Sequence, residues 1–89
     1  MTGKQISAEQ VKLMGVFTAA PKQWFDSNTV STATSLPGST VRHLLLMFHK
    51  FALLERAEVF GGYRYRLSPK ADTQDYYRRV QETAAVMKQ

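Results

Sequence analysis

Residues 35–68, SLPGSTVRHLLLMFHKFALLERAEVFGGYRYRLS, restrict the fold more than any other part of this chain. Two periodicities meet there. Val41, Leu44, Leu45, Phe48 and Ala52 recur every three or four residues, which is one stripe of an α-helix. Beyond Leu53-Leu54 the pattern becomes strand-like. Tyr63, Tyr65 and Leu67 alternate with Arg64 and Arg66, and a Gly61-Gly62 pair sits between the two strand-like runs. A helix therefore runs straight into a two-stranded ribbon. The aromatic face of the ribbon goes to the core, and its arginines go to water or to a partner.

The flanking segments complete the order. Ser7 with Gln10 three residues later is a capping box and opens a helix over about 7–19, which stops before Pro21. Val11, Met14 and Phe17, with Leu13, Val16 and Ala20, give it an apolar face. Gln23-Trp24-Phe25 predicts one short strand. Asp26, Ser27 and Asn28 are three N-cap candidates in a row. A weak, Thr- and Ser-rich helix follows over 28–34, with Val30, Ala33 and Thr34 as its inward face. Ser35 to Ser39 form a turn, and Pro37 suits the start of the next helix, 38–51. A strand over 54–60 leads to the glycine pair. Asp72 or Thr73 caps a last helix, 72–87, with Tyr76, Tyr77, Val80, Ala84 and Met87 along it. The aromatics Trp24, Phe25, Phe48, Phe51 and Phe60 are expected in the core, because a domain this small needs that apolar area.

The chain has 89 residues, enough for one domain, and a formal net charge of +5. The surplus is local: residues 35–70 hold six Lys/Arg against two acids, while residues 1–34 hold three against two. Such a balance points to a polyanionic partner. There is no cysteine, hence no disulfide and no thiolate chemistry, which fits a reducing cytoplasm. The N-terminus lacks the apolar core of a leader peptide, and no run of 18 apolar residues occurs, so no membrane anchorage is expected. His43 and His49 stand without cysteines or clustered carboxylates, so no metal and no cofactor is expected. No paired carboxylates, Gly-rich phosphate loop or nucleophile triad is present, which argues against an enzyme.

Leu36-Pro37, Ser39-Thr40-Val41, Leu44-Leu45, then Leu53-Leu54-Glu55-Arg56, then Gly62-Tyr63-Arg64-Tyr65-Arg66-Leu67 resemble the N-terminal domain of IclR-type transcription regulators and, more loosely, MarR-type ones. The resemblance covers about half of the chain. It implies a winged helix-turn-helix: mainly α with a small β-hairpin wing, an α+β fold in the order α-β-α-α-β-β-α. The expectation is a single winged-helix domain over 1–89, with the helix-turn-helix at 28–51 and the wing at 54–67. IclR-type regulators carry a large effector domain after the wing. This chain has one further helix, so no small-molecule effector is expected. Ser35 and Ala52 stand where the family usually has glycine in left-handed geometry, and Ser31 stands where it has a small alanine. These departures suggest a relative of phage or mobile-element type.

In this fold the third helix enters the major groove. Stepping about 100° per residue from Val41 turns Ser39, Arg42, His43, Leu46, His49 and Lys50 outward. Arg42 has the planar fork that matches guanine. Ser39 and Thr40 suit a phosphate at the helix N-terminus, or simply cap it. His43 lies beside Arg42, and Lys50 is a phosphate contact; Leu46, opposite the core stripe, touches a thymine methyl, belongs to a protein interface or is covered by the next helix. Arg64 and Arg66 on the outer face of the wing track the DNA backbone or enter the minor groove, or only protect a strand edge. The last helix either folds back on the first or forms a homodimer seam through Tyr76, Tyr77, Val80, Ala84 and Met87. The expected function is sequence-specific binding of double-stranded DNA by a small regulator. The alternative is a winged helix used as a protein-interaction module in a replication, partition or mobile-element complex.

Overall fold

The computed structural model describes residues 6–87; residues 1–5, part of the N-terminal stretch read above, lie outside them. Among the described residues four helices and one hairpin form: α1 (Ala8–Ala19), α2 (Ser27–Thr34), α3 (Gly38–Lys50), β1 (Leu54–Val59), β2 (Gly62–Leu67) and α4 (Asp75–Met87), with a 3-10 turn at Ala71–Thr73.

Helix α1 begins at the expected capping box. The Gln10 N–H donates to Ser7 Oγ at 3.2 Å, and the Ser7 N–H donates to Gln10 Oε1 at 3.3 Å. Its buried residues are Leu13, Met14 and Phe17. Of the three N-cap candidates for α2, Asp26 takes the role: its carboxylate accepts from the Thr29 N–H at 2.7 Å. The inward face of α2 differs from expectation. Val30 and Thr34 are buried, and Ala33 is exposed. The Thr34 hydroxyl donates to the Val30 carbonyl at 2.8 Å, so its burial carries no unpaired polar group.

The strand expected at 23–25 contracts to one residue. Phe25 forms an isolated antiparallel bridge with Tyr65, through the two N–H···O bonds Phe25 to Tyr65 and Tyr65 to Phe25, both 2.8 Å. β1 and β2 pair antiparallel from Leu54↔Leu67 to Val59↔Gly62. The turn is therefore Phe60-Gly61, one residue earlier than a Gly-Gly turn. Gly61 supplies the positive φ, 90°, at the second turn position. That shift corrects the placement of Phe60: it is fully exposed at the wing tip, not in the core. Tyr63 also departs from the expected inward row. Near the tip the ribbon has outrun the core, and only Tyr65 of the three is fully covered. Phe51, too, is partly exposed and packs edge-on to Tyr76.

The core lies where α1, α3, β1, the bridge and α4 converge: Leu13, Phe17, Val41, Leu45, Phe48, Leu53 and Val80 are all essentially buried. Phe17 meets Phe25 edge-to-face at 5.2 Å. Asp72 and Thr73 do not cap the last helix, because they sit in the 3-10 turn around buried Ala71. The first α4 bond runs from the Arg78 N–H to the Gln74 carbonyl.

Both junctions of α3 use left-handed backbone at residues other than glycine: Ser35 at φ 59° and Ala52 at φ 65°. After α3 the Leu53 N–H donates to the Phe48 carbonyl and the Ala52 N–H to the His49 carbonyl. This is the Schellman pattern, with alanine where glycine is usual. Before α3, the Ser31 hydroxyl donates to the Leu36 carbonyl at 2.7 Å. That bond gives the departure from alanine at Ser31 a structural use.

A side chain in this conformation costs about 1–2 kcal/mol, of which glycine's extra freedom in the unfolded chain offsets part. Ser35→Gly and Ala52→Gly should each raise unfolding free energy by about 0.5–1 kcal/mol. Urea titration of both variants checks this, and a loss of stability in either would show that its backbone is unstrained.

Candidate nucleic-acid interface

Helix α3 is two-faced. Val41, Leu44, Leu45 and Phe48 are buried, while Ser39, Arg42, His43, Leu46 and Lys50 are exposed and Thr40 is half-buried. The outward row expected from the sequence is thus solvent-facing as a set, apart from His49. His49 is half-buried, and its Nδ1 lies 3.1 Å from the Leu54 carbonyl. A carbonyl only accepts, so Nδ1 carries the hydrogen there.

The N-terminus of α3 has Pro37 at the cap position and no side-chain cap, which corrects the capping reading of Ser39 and Thr40. The first N–H groups of a helix are unpaired within it and carry partial positive charge. The Arg42 guanidinium lies back toward this end: a Cβ on Gly38 would stand 3.3 Å from its terminal nitrogen. Helix terminus and guanidinium concentrate positive potential at one place.

Beside α3, a groove of about 310 Å³ separates helix from wing. Arg42, Leu45 and Leu46 line one side, Gly62, Tyr63 and Tyr65 the other, and Ser27 one end. Leu46 is 52% exposed there. The strand register places Arg56 on the same face of the ribbon as Tyr65 and Tyr63. Its guanidinium carbon lies 4.4 Å from the centre of the Tyr63 ring. Neither Arg56 nor Tyr63 stood among the site residues expected from the sequence. The alternation of β1 outward from buried Leu54 is the signal that would have found Arg56.

Arg64 and Arg66 occupy the opposite face of the ribbon, away from the groove. The Phe25–Tyr65 bridge sets Trp24 beside Arg66 and Asp26 beside Arg64. Arg66 is held on both sides. Its Nε and Nη2 donate to Glu55 Oε1 at 3.1 and 2.6 Å, and its guanidinium lies 4.5 Å from the centre of the Trp24 ring. Arg64 is exposed and makes no salt bridge among the described residues. The Asp26 carboxyl is held below the usual carboxylate range, chiefly by its hydrogen bonds from Thr29 and to a lesser degree by Arg64.

The α4 residues divide. Val80 is completely buried, and Tyr76 and Tyr77 pack on the core, Tyr76 with its ring 5.8 Å from that of Phe48. Burial pushes both phenols above their ordinary pKa. Val80 therefore cannot belong to a seam between chains: its surface is already spent on the monomer. Ala84 is half-buried, while Val86 and Met87 are 70% and 52% exposed.

No protein-family model and no curated protein matches the chain. Solved structures do. The PcaV transcriptional regulator of Streptomyces coelicolor, in complex with its natural ligand, aligns with a TM-score of 0.72 and 21% identity over 100% of this chain and 62% of its own. A MepR mutant of S. aureus bound to an oligodeoxyribonucleotide gives 0.70 and 19%, over 93% of this chain and 61% of its own. A possible transcriptional regulator from Methanosarcina mazei gives 0.68 and 22%, over 92% and 72%. At these identities the likeness shows the fold, a winged helix-turn-helix. The chain spans about three-fifths of the PcaV and MepR chains.

Two outcomes follow from the geometry. Asp26 has a depressed folded pKa, so its contribution is complete above the ordinary carboxylate pKa of about 4 and is lost as pH falls through the folded value. Asp26→Ala should cost about 1 kcal/mol at pH 7 and progressively less as pH is lowered below about 4, as a series of thermal melts would show. Arg66→Ala should lower the melting temperature through the lost Glu55 and Trp24 contacts. A variant as stable as the parent would return Arg66 to the list of free cations.

Proposed function

We propose that this chain binds double-stranded DNA as a small, non-enzymatic transcription regulator, with α3 in the major groove and the wing against the flanking backbone. One observation carries the reading: the outer face of α3 presents Ser39, Arg42, His43 and Lys50 together, beside an uncapped and positively charged helix N-terminus. MepR bound to an oligodeoxyribonucleotide supports it by fold. Of the two resemblances, the solved neighbours support the MarR-like one.

The roles follow from chemistry. Arg42 reads a base edge, since a guanidinium can donate two parallel bonds to guanine O6 and N7. Ser39, Thr40 and the helix terminus hold a phosphate. Lys50, Arg56 and Arg64 supply sequence-independent attraction, and Arg66 shapes the ribbon. Leu46 meets a thymine methyl. Two chains pair through the exposed end of α4, Ala84, Val86 and Met87, and read two half-sites. The proposal places the protein in the cytoplasm and rests on operator occupancy, with no effector named.

The exposure of Leu46 favours a second reading, a protein-docking module with little affinity for DNA. Titration of a fluorescent duplex at 50 and 200 mM salt separates the two. The DNA reading expects affinity to fall by orders of magnitude over that range. Arg42→Ala should lose about 1–3 kcal/mol on a selected site and much less on random duplex. Arg64→Ala should weaken both equally and lower the salt slope by about 1. Binding no tighter than about 10⁻⁴ M at 50 mM salt would leave the docking module standing instead.

A further inference from the structure

Phe60 is the most exposed large apolar side chain among the described residues, and Val59 beside it is also exposed. Neither has a part in the core or in the contacts assigned above. The tip that presents them is a tight two-residue turn, fixed by the Val59↔Gly62 pair and by the positive φ of Gly61. A phenylalanine kept in water at the apex of a two-residue turn gains nothing for the monomer. Its apolar surface is free to meet a partner.

We propose that Phe60 is a wedge that enters the minor groove of duplex DNA and partly unstacks one base step. The inference rests on the DNA-binding reading above. Three features select this occupant. The residues that follow the tip border the α3 groove, since Gly62 and Tyr63 line it with Arg42. Cations follow it on both faces of the ribbon: Arg56 over the Tyr63 ring on one, exposed Arg64 on the other. Glu58, exposed and opposite Tyr63 in the strand register, is the one acid among residues 56–64, against the two cations Arg56 and Arg64. An apolar tip flanked by cations fits a polyanion with an apolar interior. Apolar wedges of this kind kink a duplex by about 20–90°. Pyrimidine–purine steps open most easily, so TA and CA steps are the expected targets.

The test uses the full chain and a 30-base-pair duplex with 2-aminopurine at a central TA step and a fluorophore pair on its ends. At 50 mM salt the parent should raise 2-aminopurine emission and shorten the end-to-end distance. Phe60→Ala should bind about tenfold or more weakly and do neither. Phe60→Trp should restore both, with its own emission quenched on binding. Phe60 has no native contacts to lose, so the variants fold, as circular dichroism would verify. Arg42→Ala is the control: it should weaken binding while leaving the wedge signals in the complex that still forms. If the parent binds and Phe60→Ala binds and bends alike, the wedge is wrong and the DNA reading stands. If the parent binds no duplex, both fall. If Phe60→Ala alters only self-association, the tip docks on another copy of the chain and the wedge is overturned.

Discussion

The two backbone hydrogen bonds between Phe25 and Tyr65 hold the wing to the helices of the candidate interface. A two-stranded ribbon in water is marginal by itself. Here the bridge gives β2 a neighbour on its second edge, and the Phe25 ring is pinned by Phe17 of α1. The start of α2 follows one residue later, at the Asp26 cap. The wing, the first helix and the entry to the helix-turn-helix are thereby tied at one point. The same bridge decides which arginines are available, because it sets Trp24 and Asp26 alongside Arg66 and Arg64.

The second constraint is at the ends of α3. Ser35 precedes it and Ala52 follows it, both left-handed, and hydrogen bonds reinforce both corners. The chain leaves α3 through a Schellman turn and reaches β1 at Leu54 within four residues. The angle between the helix and the ribbon is therefore fixed by backbone geometry, and the groove between them is a product of that angle. Ser31 contributes at the other corner by holding the Leu36 carbonyl. Where glycine would make these corners cheap, this chain holds them with hydrogen bonds and with the burial of Leu53.

The helices, the hairpin and their order were legible because each carries a strong local signal: a capping box at Ser7, a four-residue stripe in α3, strict alternation in β2. The departures have separate physical causes. Apolar size points Phe51 and Phe60 inward and alternation points Tyr63 inward, yet a core this small runs out before the wing does. Of the inward face expected for α2, Val30 and Thr34, four residues apart on one side of the helix, are buried, and only Ala33 is turned to solvent. Val80 was read as available because periodicity gives a stripe without saying which neighbour covers it. In the site, the outward row of α3 followed from helix geometry alone. Arg66 could not be judged so, since its partner Glu55 is eleven residues away in sequence and Trp24 belongs to a separate segment.

Charge, finally, has to be counted after the fold has taken its share. The formal +5 says only that an anion is attracted. Within the ribbon, one arginine of three is consumed: Arg66 neutralises Glu55 and braces Trp24. Arg56 and Arg64 make no salt bridge among the described residues, and they face opposite ways. A ribbon with one available cation on each side and an apolar apex is poorly suited to lying flat on one strand of phosphates. It is suited to standing in a groove with a phosphate strand on each flank. That geometry joins the exposed α3 face, the position of Arg42 at an open helix terminus and the exposure of Phe60 in the single mode of DNA binding proposed.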